Sequence, residues 1–127
     1  IRDGVIPSVK IYEDELCFVI LDLSPVNKGH ALVISKECKP TFTEIEDATL
    51  HHMINVAKKV DGKMREVLKA DGTNIMINNG PASGQEVPHL HIHVIPRFSG
   101  DGKTFVFPSQ EKYEAGEMAK HGEILKI

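Results

Sequence analysis

The order of elements along the chain predicts an antiparallel α+β fold: one five-stranded sheet with a long helix on one face. Three observations predict it. Three strand-like runs come first, a single helical stripe follows, and two more strands close the set. The helical stripe is apolar along one side only, as a helix lying on a sheet requires. The last strong strand, "HLHIHVI", alternates histidine with apolar residues. One of its faces can therefore pack on the helix while the other stays polar.

Each element has its own signal. "VKIYE" (9–13) alternates and reads as a short strand. "LCFVILDL" (16–23) is a nearly continuous apolar run, so the second strand is expected to be largely buried on both faces, with "EDE" (13–15) as the tight link before it. Pro25 and Gly29 mark "SPVNKG" (24–29) as loop, and "HALVIS" (30–35) is the third strand. The helical part runs from Thr41 to Gly72. Thr41 with Glu44, and Thr43 with Glu46, stand at capping-box spacing. Leu50, Met53, Ile54, Ala57, Val60, Met64, Val67 and Leu68 make one apolar stripe. Gly72 sits where a glycine ends a helix, and Gly62 weakens the interior. The adjacent His51 and His52 point to different sides and read as surface and helix-side residues. "TNIMIN" (73–78) is the fourth strand, "NGPASGQ" (79–85) a loop and "HLHIHVI" (89–95) the fifth strand. After Pro96 the tail is polar, with "FVF" (105–107) as a candidate anchor.

Composition narrows the function classes. The 127 residues are 41% hydrophobic and 26% charged, which reads as one soluble globular domain with a real core. A net charge of −3 supplies no basic field for a nucleic-acid polymer, so a small molecule or a protein is the expected partner. No apolar run approaches ~20 residues, so no membrane span is expected. The opening "IRDGVIPS" is neither a charged n-region nor an apolar h-region, so no secretory signal is expected. The two cysteines, Cys17 and Cys38, are too few for a disulfide framework and fit a reducing cytosol.

His89, His91 and His93 fall at every second position, so in a strand they share one face. Alternate residues lie ~6.6 Å apart along a strand, so the outer two are ~13 Å apart. Two neighbouring imidazoles can share one zinc at ~2.1 Å, but three in a row hardly can. Val94, Ile95, Pro96 and Arg97 supply no further ligand directly downstream, so no catalytic metal is expected. Nucleophilic catalysis fits better. A neutral imidazole attacks phosphorus well and leaves well, provided one nitrogen is protonated and tied down while the other presents its lone pair. The loop from Asn78 to Gln85 adds Gly80 and Gly84 for close backbone approach, a plausible phosphate cradle. A lone histidine would read as a satisfied surface group. Three in register beside a glycine loop read as a site.

The stretch from His89 to Ile95 resembles the histidine-triad (HIT) signature, His-φ-His-φ-His-φ-φ with φ apolar, at every position. "DGVIPS", "VILDLSPVNKGHALVIS" and "NNGPASGQEVPHLHIHVIPR" are similar to the family's three landmark stretches, in the same order and at similar separations. The resemblance covers nearly the whole chain and implies a single HIT domain over 1–127. It also implies the HIT-like sheet with one long and one short helix, joined into one sheet across a homodimer. HIT proteins are nucleotide-binding hydrolases and transferases. By resemblance His91 is the nucleophile that forms a transient nucleotidyl-histidine, His93 contacts the α-phosphate and His30 supports the cluster. His89 orients it, its carbonyl holding the nucleophile's other nitrogen. Asp22 holds the ribose hydroxyls, Ile20 and Leu23 line the base pocket, and Asn78, Gly84, Gln85 and Glu86 lie near the phosphate. The bound molecule is expected to be a purine nucleotide, an AMP or GMP conjugate, with no cofactor needed.

Two positions depart from the family pattern. Glu86 stands where the best-known members carry Ser or Thr, as in some bacterial members, and a carboxylate beside a phosphate must turn away or be protonated. Cys38 and His89 match two ligands of a structural zinc found in many bacterial relatives. The other two come from an upstream Cys-x-x-Cys, so that zinc is expected only if such a pair precedes this chain. Leu90, Ile92 and His93 do not match the His-Pro-His-x-Gln of the transferase branch. The resemblance therefore points to hydrolysis at the α-phosphorus of a nucleoside 5′-phosphoramidate or related conjugate. A dinucleoside polyphosphate hydrolase, or a nucleotide-binding or protein-interaction module with vestigial hydrolysis, are the alternatives.

Overall fold

The computed structural model describes residues 9–127. The landmark "DGVIPS" (3–8) lies outside the described residues. Five strands form one antiparallel sheet: β1 (Lys10–Glu13), β2 (Cys17–Leu21), β3 (Ala31–Ser35), β4 (Gly72–Met76) and β5 (His91–Arg97). Their order across the sheet is β1-β2-β3-β5-β4, so β5 runs between β3 and β4, with β1 and β4 at the edges. Two helices complete the fold, α1 (Asp47–Val67) and the short α2 (Glu117–Leu125). Among the described residues no helix is long and apolar enough to cross a membrane.

Alternation sorts the sheet into two faces. Val19, Val33, Leu90, Ile92 and Val94 pack with Met53, Val56, Ala57, Val60 and Met64 of α1 in the main core. The opposite face carries a smaller cluster of Phe18, Ile20 and Ile34, with Leu32 against it. Register ties this second face to the histidines: Ile20 pairs with Leu32, which pairs with His93, and Phe18 pairs with Ile34, which pairs with His91. The reading of β2 as buried on both faces holds, since Cys17, Phe18, Val19 and Ile20 are all buried.

Several boundaries differ from expectation, each for a local reason. The helix starts at Asp47, not near Thr41. Neither threonine pair caps it: the Thr41 hydroxyl donates to the Glu44 carboxylate, and the cap residue, Glu46, has extended backbone and no side-chain cap bond. The Phe42 N–H donates to Asn79 Oδ1, which draws this segment into a turn against the 79–85 loop. At the other end α1 stops at Val67. Lys69 adopts φ 61°, and Gly72 opens β4 instead of closing the helix. Ile54, Val67 and Leu68 of the expected stripe are exposed, and Thr49 and Val56 are buried in its place. Pro96 lies inside β5, paired with Thr73. β3 ends its pairing at Val94, so the missing proline N–H costs no bond on that side. Phe105, Val106 and Phe107 do not anchor the tail. All three are exposed, and the Arg97 guanidinium lies 5.3 Å from the Phe105 ring. Cys17 and Cys38 are both free thiols.

Candidate functional site

β5 presents His91 and His93 on the sheet face away from α1, because Ile92 and Val94 are fully buried under the helix. Their ring centroids are 5.0 Å apart. The first histidine behaves differently from the expected face-sharing triad. His89 precedes β5, and its Nε2 lies 2.6 Å from the Ser35 carbonyl, which it can meet only as a donor. Its own carbonyl lies 2.8 Å from His91 Nδ1. A carbonyl only accepts, so a neutral His91 carries its proton on Nδ1 and its lone pair on Nε2.

His30 comes from the residue just before β3 and is buried at 4% exposure. The N–H of Val26 donates to its Nδ1 at 3.1 Å. That nitrogen must accept, so a neutral His30 carries its proton on Nε2. Nε2 lies 2.9 Å from His93 Nδ1, which must then accept in turn. The relay leaves His93 with an Nε2–H donor. One backbone N–H in the 22–29 loop thus fixes the tautomers of two rings. Electrostatics agrees with neutral rings. Burial, with the neighbouring His91 and His30 rings, lowers His93 to about 4. Burial lowers His30 as well, opposed by the nearby Asp22.

Asp22 follows β2 directly. Its Oδ1 accepts from the Ser24 N–H at 2.9 Å, which closes a local turn, and its Oδ2 lies 3.6 Å from His30 Nε2. It is thus both turn former and neighbour of the histidine cluster. Ile20 is buried on the histidine face, whereas Leu23 is 69% exposed beyond the strand end. Sequence reasoning missed Phe18, Leu32 and Ile34, which join Ile20 in the apolar patch beside the histidines. Their signal was the alternation of β2 and β3, but only the strand register says which set faces His91 and His93.

The 79–85 loop is built by its own hydrogen bonds. Gln85 is buried. Its Oε1 accepts from the Gly80 N–H and its Nε2 donates to the Pro40 carbonyl, each at 2.6 Å. Its amide therefore braces the loop rather than standing open to a phosphate. The N–H groups of Ser83 and Gly84 also bond within the loop, to the carbonyls of Gly80 and Pro81. Gly80 and Gly84 supply conformation instead, at φ 87° and 101°. Asn78 is half-buried just past β4, and Glu86 is exposed.

Two groups among the described residues bring the ligand atoms of three potential metal-binding side chains within 4.8 Å of one another: Asp14 with Cys17 and His52, and Asp22 with His30 and His93. In the first, Asp14 is already engaged by the N–H groups of Leu16 and Cys17, the Tyr12 hydroxyl and His52 Nε2. In the second, the two rings bond each other, so a metal would have to displace the proton between them.

A family model for the HIT domain matches residues 3–100. The chain belongs to the HIT family. It is 41% identical over 120 residues to an uncharacterised HIT-like protein of Methanocaldococcus jannaschii, across 94% of this chain and 92% of that one. An adenylylsulfatase of Arabidopsis thaliana is 37% identical over 98 residues, 77% of this chain and 50% of that longer protein. The crystal structure of a HIT family member from Bacillus subtilis superposes with a TM-score of 0.85 at 33% identity, covering 98% of this chain and 89% of that one. The HIT match places the chain in a superfamily of nucleotide-binding hydrolases and contains every histidine of the cluster. α2 lies beyond the HIT match.

Proposed function

We propose that this HIT protein hydrolyses conjugates of a purine nucleoside 5′-monophosphate at the α-phosphorus, a phosphoramidate being the reference substrate. The observation that carries the reading is the 2.8 Å bond between His91 Nδ1 and the His89 carbonyl, which leaves the Nε2 lone pair for attack. His91 Nε2 bonds to phosphorus, and the bond to the leaving group breaks with its electron pair going to that group. The departing amine takes up a proton from solvent, and the water that attacks in the next step gives one back. Water then attacks the same phosphorus, the phosphorus–nitrogen bond to His91 breaks, and the nucleoside monophosphate leaves with Nε2 restored. His93 Nε2–H is the donor for a phosphate oxygen, held in that tautomer through His30. Asp22 accepts from the ribose hydroxyls, and the patch around Ile20 receives the base.

The Arabidopsis relative is an adenylylsulfatase. An adenylyl sulfate is also an AMP conjugate, which supports a shared α-phosphorus with a variable leaving group. The chemistry needs no metal. We further infer a cytoplasmic homodimer, its sheet continued through one of the open edges, β1 or β4.

The test is AMP release from adenosine 5′-phosphoramidate, with and without EDTA, for the wild type and His91→Ala. Turnover that survives EDTA and vanishes in the variant supports the reading. A silent wild type that still binds AMP points to a dinucleoside polyphosphate substrate or a binding module. Full turnover in His91→Ala removes the nucleophile assignment.

A further inference from the structure

We infer that Asn27 is a positioning residue that sets the tautomer of the histidine cluster, an inference that rests on the hydrolase reading above for its kinetic consequence. The N–H that fixes His30 belongs to Val26, in a loop with no regular secondary structure. Such a donor fixes a tautomer only if the loop itself is held. Asn27, the next residue, does the holding. Its side-chain amide donates one hydrogen to the Pro96 carbonyl of β5 and the other to Asp101 Oδ2, both at 2.9 Å. Its main-chain carbonyl accepts from the His30 N–H at 3.0 Å. Asn27 thus connects the loop, the residue before β3 and the strand that carries His93.

The anchor on the far side is rigid. Asp101 is bridged by Arg97, with Nε to Oδ2 at 2.9 Å and Nη2 to Oδ1 at 3.0 Å. It also accepts from the N–H groups of Phe98 and Lys103. Arg97 reaches on to Asn74 Oδ1 of β4 at 2.9 Å. A bidentate guanidinium–carboxylate pair with backbone donors fixes both partners in one geometry. This node lies past Val94, where β3 no longer borders β5, so no strand ladder could hold the loop there.

Loss of Asn27 removes both tethers. The Val26 N–H is then free to leave His30 Nδ1, and His30 can move its proton to that nitrogen. Two lone pairs would face each other between His30 Nε2 and His93 Nδ1 unless His93 also switched. His93 would then turn a lone pair, not a donor, towards the phosphate.

The test compares Asn27→Ala and Asn27→Asp with the wild type by nitrogen-15 NMR of the imidazole rings and by steady-state kinetics. The wild type is expected to show His30 and His93 as Nε2–H tautomers. Both variants are expected to show mixed tautomers at His93. kcat should fall by about tenfold to a hundredfold, as small misplacements of reacting groups do, with KM changed by less than about threefold. Asn27→Asp keeps the size but faces a carboxylate with a carboxylate, so it should be at least as impaired. Wild-type tautomers and wild-type kcat per folded molecule in Asn27→Ala, even with a lowered melting temperature, would overturn the inference. The NMR readout does not depend on turnover. If the wild type hydrolyses no nucleotide conjugate, the hydrolase reading fails while the tautomer comparison still decides the role of Asn27.

Discussion

His30 Nε2 lies 2.9 Å from His93 Nδ1, so the proton position on one ring dictates that on the other. Both rings are held below the usual histidine value of 6.5, His93 at about 4. The unfolded chain protonates these rings near 6.5, whereas the folded chain keeps His93 neutral down to about 4. In that window the unfolded state binds more protons, so stability falls as pH falls, and this contribution levels off below the folded value. The held carboxylates Asp14 and Asp101 act lower, below their ordinary 3.8. Urea midpoints measured from neutral pH down to about 4.5 should therefore decline, and His93→Asn should flatten part of the slope. A wild-type midpoint constant across this range would contradict neutral, buried rings.

Asp22 has separable roles. Its Oδ1 closes the turn to Ser24, and its charge is proposed to meet the ribose. Asn at this position can keep the turn, because an amide oxygen still accepts, but it loses the carboxylate. Asp22→Asn is expected to raise KM by about tenfold, the size of one charge-assisted hydrogen bond worth about 1.5 kcal/mol. kcat should change little, since ribose contacts are alike in ground and transition states. A fall in kcat with KM unchanged would instead place Asp22 in the histidine relay.

Gly29 closes the same loop at φ 101°, and a Cβ there would sit 2.7 Å from Leu68 Cδ1. Leu68 is exposed at the end of α1 and can swing away, so the backbone dominates the cost. Gly29→Ala should destabilise by about 1–2 kcal/mol in urea unfolding. The double variant with Leu68→Ala should recover little of it. Full recovery would assign the cost to the side-chain contact.

The two thiols differ sharply. Cys17 is fully buried, and burial with the adjacent Asp14 carboxylate pushes its thiol up to about 11. Cys38 is exposed. A thiol reagent near neutral pH should label one cysteine in the folded protein and both in denaturant. Peptide mapping should find the native label on Cys38. Rapid native labelling of Cys17 would mean that the β1–β2 corner opens readily.

Much of the molecule was legible in the chain because it depends on period and on local chemistry. Alternation at His89 to Val94 announced a strand with one polar face, and the three- and four-residue steps from Met53 to Met64 announced the helix that covers the other. The resemblance to the histidine-triad signature implied that the His89 carbonyl holds the second nitrogen of His91, and the bond between them has that form. What tertiary structure alone decided concerns groups far apart in sequence. His30 and His93 are 63 residues apart, and Asn27 and Asp101 are 74 apart. No local pattern encodes such pairings. Gln85 looked like a phosphate contact until the fold brought the Pro40 carbonyl to its amide. The helix start moved to Asp47 because Asn79 captures the Phe42 N–H, a tertiary bond that outweighs two threonine capping signals. Sequence determined which faces and which residue types exist. Packing decided which donor meets which acceptor, and therefore where the protons of the histidine cluster reside.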